Sequence, residues 1–433
     1  MLKILTGALA AGVALLVPIA GNADDLVTNN RIGLADAPNK LVFRMTTDGP
    51  ANNMPETAGG YKKLFEDFIK KHPDWQIETQ LMTGDIGQEQ ARMLEQAKSG
   101  TAPDCAAVDS FVLPLFKKAG VLKSFSPYFQ KDEISQLFPF IRDGITGDDG
   151  QIYAWWWSTD LRVLYRNKDI VPNAPANWDE LKKAGLDSVK KGMEGILFNG
   201  SRYEGTTFDW VANFWAQGGD LVDKNGKPVF GEGENKAKFV KAVNFYRDLV
   251  ESGAAPKRVA TIGNYDDFNA AAAAGTTALF VGGNWQLGQL KSTLDASEFA
   301  KWTFSPLPGP TNDERSTGTG GWTVASFASD PKKVEFCASI ARDIYMGPAN
   351  EVQGQLPTRA DLYGKYEIFS TPENKAFAEA LQKGRARPGA PVYPEISNQI
   401  QIMMGKVLTG AEDTEKAVDE AFAASMTAYD RLK

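Results

Sequence analysis

Histidine and cysteine are scarce in this chain of 433 residues, and their scarcity excludes several kinds of active site. The single histidine, His72, rules out histidine-based catalytic triads and metal sites built from several histidines. Cys105 and Cys337 lie far apart with no Cys-x-x-Cys pair, so neither a disulfide scaffold nor a zinc site is encoded. We expect both to be buried small side chains, with a single bridge only if the fold brings them together. We expect no metal and no cofactor.

An excess of positive charge is also absent. The chain has 47 Lys and Arg against 54 Asp and Glu, a net charge of -7, which argues against nucleic acid as a partner. With 43% hydrophobic and 23% charged residues, the composition is that of a globular protein. At about 100–200 residues per domain, the length predicts two or three domains.

The usual catalytic motifs are missing as well. The sequence has no Gly-x-Ser-x-Gly elbow, no phosphate-binding loop and no Gly-x-Gly-x-x-Gly after a strand. Carboxylates are plentiful, so a pair of catalytic carboxylates of the glycosidase type stays open. No pattern in the sequence singles out such a pair.

The N-terminus is typical of an exported protein. Residues 1–23 carry one positive charge, Lys3, then an apolar stretch and small residues before Asp24. This pattern predicts a signal peptide cleaved near Ala23, and the apolar stretch is shorter than the roughly 20 residues of a membrane-spanning helix. We expect the mature chain in the periplasm, with a net charge of -8 after the loss of Lys3 from the 47 basic residues.

The mature chain alternates short apolar runs with helical periodicity. Strands are predicted at 41–45, 76–81 and 105–108, with amphipathic helices between them, which is the pattern of a parallel α/β sheet. Further strands are predicted at 277–281 and 322–327, and the tail from residue 372 is predicted to be helical almost throughout. Two α/β lobes are therefore expected.

Tryptophan is abundant, and several of the ten lie near predicted breaks between elements. Trp155, Trp156 and Trp157 are consecutive, and Trp285 and Trp322 each follow a Gly-rich stretch. Indole rings beside Asp, Asn and Arg suit a sugar, whose C–H faces stack while its hydroxyls form hydrogen bonds. The alternative is that these rings pack in the core, and this must hold for at least one of the consecutive three because neighbouring side chains point apart.

Several segments together resemble the maltose-binding-protein-like family of extracellular solute-binding proteins, which serve sugar ABC importers. The segments, which follow one another over about 350 residues, are 150–169, 175–181, Gln217-Gly218-Gly219, Gly283-Asn284-Trp285, Gly320-Gly321-Trp322 and Gln355-Leu356-Pro357-Thr358-Arg359. The chain departs from the family in an extended segment at 24–40, whose role is open, and in the tryptophan triplet.

The resemblance implies an α/β periplasmic-binding-protein fold of two lobes joined by three hinge crossovers. We place the crossovers near 155–158, 305–310 and 354–357. Lobe one would comprise 24–155 and 308–354, and lobe two 156–307 and 355–433. Both cysteines then fall in lobe one, which keeps a disulfide possible.

The resemblance also implies that the protein is a binding protein and not an enzyme, taking a sugar between its lobes and delivering it to permease subunits in the inner membrane. We expect a monomer. Ligand-binding positions carried over from the family are Asp160, Trp285, Trp322, Gly321, Asp109, Phe111 and Arg359, followed by Asp48, Trp210, Tyr393 and Trp157. For Asp160 the alternative is an ion pair with Arg162 or Arg166 at the hinge.

Two other functions stay open from the sequence. One is an exported carbohydrate-active hydrolase or lyase with a similar aromatic groove. The other is a binding protein for a non-sugar solute such as a polyamine, which would require several carboxylates around the rings.

Overall fold

The computed structural model describes residues 25–28, 30–46, 55–82, 86–381 and 384–432, with the side chains of 55–58 left aside. The predicted signal peptide and Asp48 lie outside the described residues. Within the described ranges, no helix is both long and apolar enough to cross a membrane.

The strands, numbered in chain order, are β1 Arg31–Ile32, β2 Asn39–Met45, β3 Trp75–Leu81, β4 Cys105–Asp109, β5 Trp155–Trp156, β6 Ser158–Asn167, β7 Ile196–Leu197, β8 Leu279–Gly283, β9 Trp302–Pro306, β10 Thr317–Gly320, β11 Trp322–Ser326, β12 Leu356–Pro357 and β13 Gly384–Ala386. The α-helices are α1 Pro55–Lys70, α2 Ile86–Lys98, α3 Leu113–Lys118, α4 Lys131–Ser135, α5 Pro139–Ile145, α6 Trp178–Lys190, α7 Glu204–Trp215, α8 Gly233–Glu251, α9 Asp266–Ala273, α10 Gln286–Thr293, α11 Ala296–Phe299, α12 Pro331–Asp343, α13 Pro348–Gln353, α14 Leu362–Lys365, α15 Pro372–Leu381, α16 Tyr393–Leu408 and α17 Thr414–Arg431. Short 3₁₀ turns lie at Ser126–Tyr128, Lys257–Thr261 and Glu367–Ser370.

The strands form two sheets, which confirms the predicted two-lobed α/β fold. The first sheet has the order β1-β3-β2-β4-β11-β5, with β2 parallel to both β3 and β4. The second has the order β13-β10-β6-β8-β7, with β9 and β12 also paired to β6. The buried runs of β4 and β8 are continuously apolar or small, as expected for strands covered on both faces.

The chain passes between the sheets three times. It leaves the first sheet between β5 and β6, returns between β10 and β11, and leaves again between α13, which packs on α1, and β12. The predicted lobe boundaries stay a prediction at the level of single residues. Strand pairing nevertheless places the second change of sheet at Gly321, because β10 pairs with β6 of the second sheet.

The segment at 24–40, whose role was open, supplies the edge of the first sheet. Arg31 and Ile32 pair antiparallel with β3, and the Gln76 side-chain amide donates to the carbonyl oxygens of Ala35 and Ala37. The arm therefore extends the sheet with a short edge strand.

The structure differs from the preferred sequence interpretation in two places. Cys105 and Cys337 form a disulfide and are not separate thiols, because β4 pairs with β11 and α12 packs back on β11, which brings the two Cα atoms within 5.8 Å. The tail is not helical throughout: β13 and the loop up to residue 392 interrupt it between α15 and α16. Gly384, Pro388, Gly389 and Pro391 are the local signals for that break.

Candidate ligand-binding cleft

A cleft with a cavity of about 440 Å³ lies where the two sheets meet. It is rich in aromatic and charged side chains. The aromatic lining residues are Phe111, Tyr203, Phe208, Tyr265, Trp285 and Trp322, and the charged ones are Asp109, Asp160, Arg162, Glu204 and Arg387.

The first sheet contributes Asp109 and Trp322 from adjacent strands. Asp109 ends β4 and Trp322 begins β11, and the two residues are directly paired in the antiparallel ladder. Directly paired residues place their side chains on the same face of a sheet. The carboxylate and the half-buried indole therefore face the cleft together.

Two glycines allow the sheets to meet at this point. Gly321 has φ +129°, and a Cβ there would lie 1.8 Å from the carbonyl oxygen of Ser158. At Gly320, a Cβ would lie 2.6 Å from a guanidinium nitrogen of Arg387. Gly321 was predicted to line the cleft, and in the structure it is the crossing residue whose missing side chain lets the strands approach.

Arg162 is shared between two carboxylates of the second sheet's lobe. Its Nε donates to Asp209 Oδ1 at 2.7 Å, and its Nη1 lies 3.5 Å from Asp160 Oδ1. The guanidinium also lies over the rings of Phe208 and Trp285, at 3.8 and 4.7 Å from their centroids. The alternative predicted for Asp160, an ion pair with Arg162, is thus present, and Asp160 lines the cleft as well.

Arg387 is shared between two further carboxylates. Its Nη2 donates to Asp109 Oδ1 and its Nη1 to Glu204 Oε1, both at 3.0 Å. Its guanidinium lies 4.7 Å from the ring centroid of Phe111 and 4.1 Å from that of Phe208. Only 4% of the Arg387 side chain is exposed.

Four carboxylates therefore accompany two guanidinium groups in and behind the cleft. Burial raises the pKa of Asp109 to about 6; Arg387 opposes this shift, and the neighbouring charges of Asp160 and Glu204 add to it. Burial also raises the pKa of Asp209, which Arg162 opposes. The field inside the cleft is thus negative on balance.

Three buried polar atoms of these groups make no hydrogen bond to the part of the chain that the structure describes: Asp160 Oδ1, Arg162 Nη1 and Arg387 Nε. The 3.5 Å contact between Asp160 and Arg162 is an ion pair without hydrogen-bond geometry. A ligand that supplies both a donor and an acceptor, such as a hydroxyl-bearing molecule, would satisfy such a pair.

The structure brings five of the predicted ligand residues into this cleft. They are Asp109, Phe111, Asp160, Trp285 and Trp322. Trp285 and Trp322 both keep part of their ring surface exposed. Trp285 precedes α10, and its ring is perpendicular to that of Tyr265, with 5.0 Å between the ring centroids.

Four other predicted ligand residues lie elsewhere. Trp157 is buried against Tyr345, at 5.0 Å between ring centroids, on the first sheet's side. Trp210 is fully buried in α7 against Phe239, and Arg359 is paired with Asp361 at 2.7 Å.

Tyr393 is fully buried behind the cleft. Its hydroxyl donates to Glu204 Oε1 at 3.0 Å, so it supports a lining residue without lining the cleft itself. None of these four side chains is a ligand contact in this cleft, because each is buried or paired away from the cavity. Trp157 and Trp210 follow the alternative that the sequence left open, core packing.

Sequence reasoning missed Glu204, Phe208, Tyr265 and Arg387, and it considered Arg162 only as a partner of Asp160. Glu204 and Phe208 lie one helical turn apart on α7, which is buried along almost its whole length. The guanidinium groups of Arg162 and Arg387 contact this face of α7, which borders the cleft. The Pro-Gly pair that follows Arg387 is a local sequence signal for a loop at that position.

Two lobes, three crossings and a cleft between them define the fold of a two-lobed binding protein. The chain belongs to the family of bacterial extracellular solute-binding proteins, whose sequence profile matches residues 51–342. Membership in a family of binding proteins confirms the prediction that the chain is not an enzyme.

Relatives and solved structures of similar fold extend over nearly the whole chain. A binding protein of Brucella abortus is 21% identical over 407 residues, covering 90% of this chain and 94% of its own. A maltooligosaccharide ABC transporter solute-binding lipoprotein of Streptococcus pneumoniae is 23% identical, with 84% and 85% covered. The structure of maltose-bound MalE3 of T. maritima is similar with a TM-score of 0.77 and 24% identity, over 89% of this chain and 98% of that one.

Proposed function

We propose that this chain is the sugar-capturing component of an ABC importer, binding a di- or oligosaccharide or a glycoside in the cleft. It would act in the periplasm as a monomer after loss of residues 1–23. The two lobes, each built on one of the two sheets, close on the ligand, and the closed form is recognised by the permease subunits.

The arrangement of Trp285, Trp322, Asp160 and Arg162 carries this proposal. The two indoles line the cavity with part of each ring exposed, and the Asp160–Arg162 pair retains a buried acceptor and a buried donor beside them. Sugars present apolar C–H faces to rings and hydroxyls that donate and accept at once. The cleft offers a partner for each of these features.

The size and charge of the cleft narrow the class of sugar. A cavity of about 440 Å³ lies in the range of small-molecule pockets, about 300–1,000 Å³, and suits a short saccharide. Because carboxylates outnumber guanidinium groups, a sugar acid would meet a repulsive field. A neutral saccharide is therefore favoured over an anionic one.

The other solute class considered from the sequence, polyamines, fits this cleft less well. A polyamine would require free aromatic faces for its ammonium groups. Here the guanidinium groups of Arg162 and Arg387 already lie over the ring of Phe208. The named ligands of similar proteins, maltose and maltooligosaccharides, also support the sugar proposal.

A thermal-shift screen of residues 24–433 would test the ligand class. The panel contains mono-, di- and trisaccharides, sugar acids and polyamines, and each stabilising compound is recovered and analysed after long incubation. We expect a neutral saccharide to raise the melting temperature and to be recovered intact, because a ligand that binds only the folded state stabilises it. A saccharide that is consumed, or stabilisation by polyamines alone, would contradict the proposal.

Variants of the lining residues then test the cleft. We expect Trp285→Ala to weaken saccharide binding by about 1–3 kcal/mol with folding intact, because it removes a stacking face at the edge of the cavity. Asp160→Ala should also weaken binding. The matched control is Trp75→Ala: Trp75 is also partly buried but stacks on Phe336 outside the cleft. Unchanged affinity in both cleft variants would refute the assignment.

A further inference from the structure

Arg387 makes contacts with side chains from both sides of the cleft. It follows β13 of the second sheet and binds Glu204, which begins α7 on the same side. Its other bond, at 3.0 Å, is to Asp109 at the end of β4 in the first sheet. The guanidinium therefore connects the two sheets through a pair of charge-assisted hydrogen bonds.

The surroundings of Arg387 are built to hold this position. Phe111, two residues beyond β4, and Phe208 of α7 place their rings 4.7 and 4.1 Å from the guanidinium carbon. Gly320 leaves room for the nitrogen that a Cβ would approach to 2.6 Å. One ring and one carboxylate thus come from each side of the cleft.

Opening of the cleft would separate these partners. Asp109 and Phe111 would move with the first sheet, whereas Glu204 and Phe208 would stay with Arg387. We propose that Arg387 is a positioning residue that makes closure of the cleft possible, by bridging Asp109 and Glu204 when the two sides meet. This inference rests on the proposed function, in which closure accompanies capture of the ligand.

Charge balance explains why closure needs this residue. Closing brings the carboxylates of Asp109, Asp160 and Glu204 into one buried region. Without Arg387, the first and last of these would lose their shared cation, and burying unpaired like charges strongly opposes association of two surfaces. Arg162 cannot replace it, because it is already bound to Asp209.

The same charges give closure a dependence on pH. The titratable and charged groups facing Asp109 are Arg387, Asp160 and Glu204, and Arg387 also faces Tyr393 and Arg162. In the closed arrangement the pKa of Asp109 is about 6, above its ordinary value of 3.8, because burial outweighs the attraction of Arg387.

The sign follows from proton linkage. A group whose pKa is higher in the closed form takes up a proton on closing, so closure is favoured at low pH and loses that advantage as the pH rises through about 6. If Asp109 has its ordinary pKa in the open form, saccharide affinity should rise about tenfold between pH 7.5 and pH 5. The Asp109→Asn variant should lose this rise.

The principal test compares Arg387→Gln with Arg385→Gln. Arg385 is two residues away and is paired at the surface with Asp220, so its loss makes the same charge change without touching the bridge. For Arg387→Gln we expect saccharide affinity to fall about 30-fold at pH 7.5 and to recover partly at pH 5, as the unpaired carboxylates take up protons. Circular dichroism confirms folding of both variants.

Several outcomes would overturn the inference: an equal loss of saccharide affinity in both variants, a loss of affinity in Arg387→Gln that is the same at both pH values, or a rise of affinity with acid that persists in Asp109→Asn.

Small-angle scattering of the ligand-free chain separates this inference from the proposed function. We expect Arg387→Gln to have a larger radius of gyration than the unmodified chain at pH 7.5, where its carboxylates are ionised, and equal radii would contradict the closure role. If no saccharide binds the unmodified chain, the proposed function fails while the scattering comparison still decides the role of Arg387.

Discussion

The disulfide between Cys105 and Cys337 should contribute strongly to the stability of the whole chain. It links β4 to α12 across a separation of 232 residues, and both cysteines are fully buried. Because the intervening chain includes the strands of the second sheet up to β10, the bridge closes the long excursion that leaves the first sheet and returns to it. The perturbation is the double variant Cys105→Ala/Cys337→Ala.

The expected magnitude follows from the length of that loop. In the chain-entropy description, a crosslink over 232 residues destabilises the unfolded state by about 5 kcal/mol at 25 °C. With an unfolding entropy of about 2 cal/mol/K per residue, a loss of this size lowers the melting temperature of a chain of 433 residues by about 6 °C. Differential scanning calorimetry of the oxidised chain and the double variant measures this difference.

The control is the same calorimetric measurement in the presence of a reducing agent. Unfolding with reductant should shift the melting temperature of the oxidised chain toward that of the double variant and leave the double variant unchanged. Coincident melting of the oxidised chain and the double variant, with mass spectrometry showing two free thiols in the former, would refute the presence of the bridge and the packing of α12 on β11 from which it follows.

Three further substitutions test a buried ring, the crossing between the sheets and a helix cap. Trp210→Ala should lower the free energy of unfolding by about 3–5 kcal/mol in denaturant unfolding, because the ring is fully buried. The folded variant should keep its saccharide affinity, and a selective loss of affinity would contradict the placement of Trp210 in the core. Gly321→Ala should lower the free energy of unfolding by about 1–3 kcal/mol or more, because the new Cβ would meet the Ser158 carbonyl. Gly405→Ala is the control and should have no such effect, because nothing lies within 4 Å of that Cβ position. Equal melting temperatures of the two variants would contradict the crossing geometry. Asn177→Ala should cost about 1 kcal/mol, measured in the same way, because its side chain caps α6; no change would contradict the cap.

Local chemistry made part of the fold predictable. Asn177 with Glu180 three residues later has the spacing of a helix cap, and in the structure the Asn177 side chain accepts a hydrogen bond from the Glu180 amide at 2.9 Å at the start of α6. Asp330 followed by Pro331 is likewise a typical helix start, and the Asp330 side chain accepts a hydrogen bond from the Lys332 amide at the start of α12. Such signals act over a few residues, so a single sequence contains them.

The features that the sequence did not reveal depend on contacts between distant residues. Arg387 meets Asp109 across 278 positions, and its loop interrupts a tail whose composition favours helix. Cys337 reaches Cys105 only because β11 returns to pair with β4. Trp157 and Trp285 are the same residue type near predicted breaks, yet one packs against Tyr345 and the other lines the cleft. Tertiary packing, which local patterns do not specify, decided each of these cases.

The most direct test of sugar capture in this cleft is an isothermal titration of the ligand-free chain, residues 24–433, run beside Trp285→Ala and Trp75→Ala. The titrant is the neutral saccharide that raises the melting temperature most in the thermal-shift screen. We expect saturable binding of the saccharide to the unmodified chain and to Trp75→Ala, and binding weaker by about 1–3 kcal/mol in Trp285→Ala. Binding that is equally strong in Trp285→Ala, or no saturable binding of any saccharide in the panel, would contradict the claim that this cleft captures a neutral saccharide.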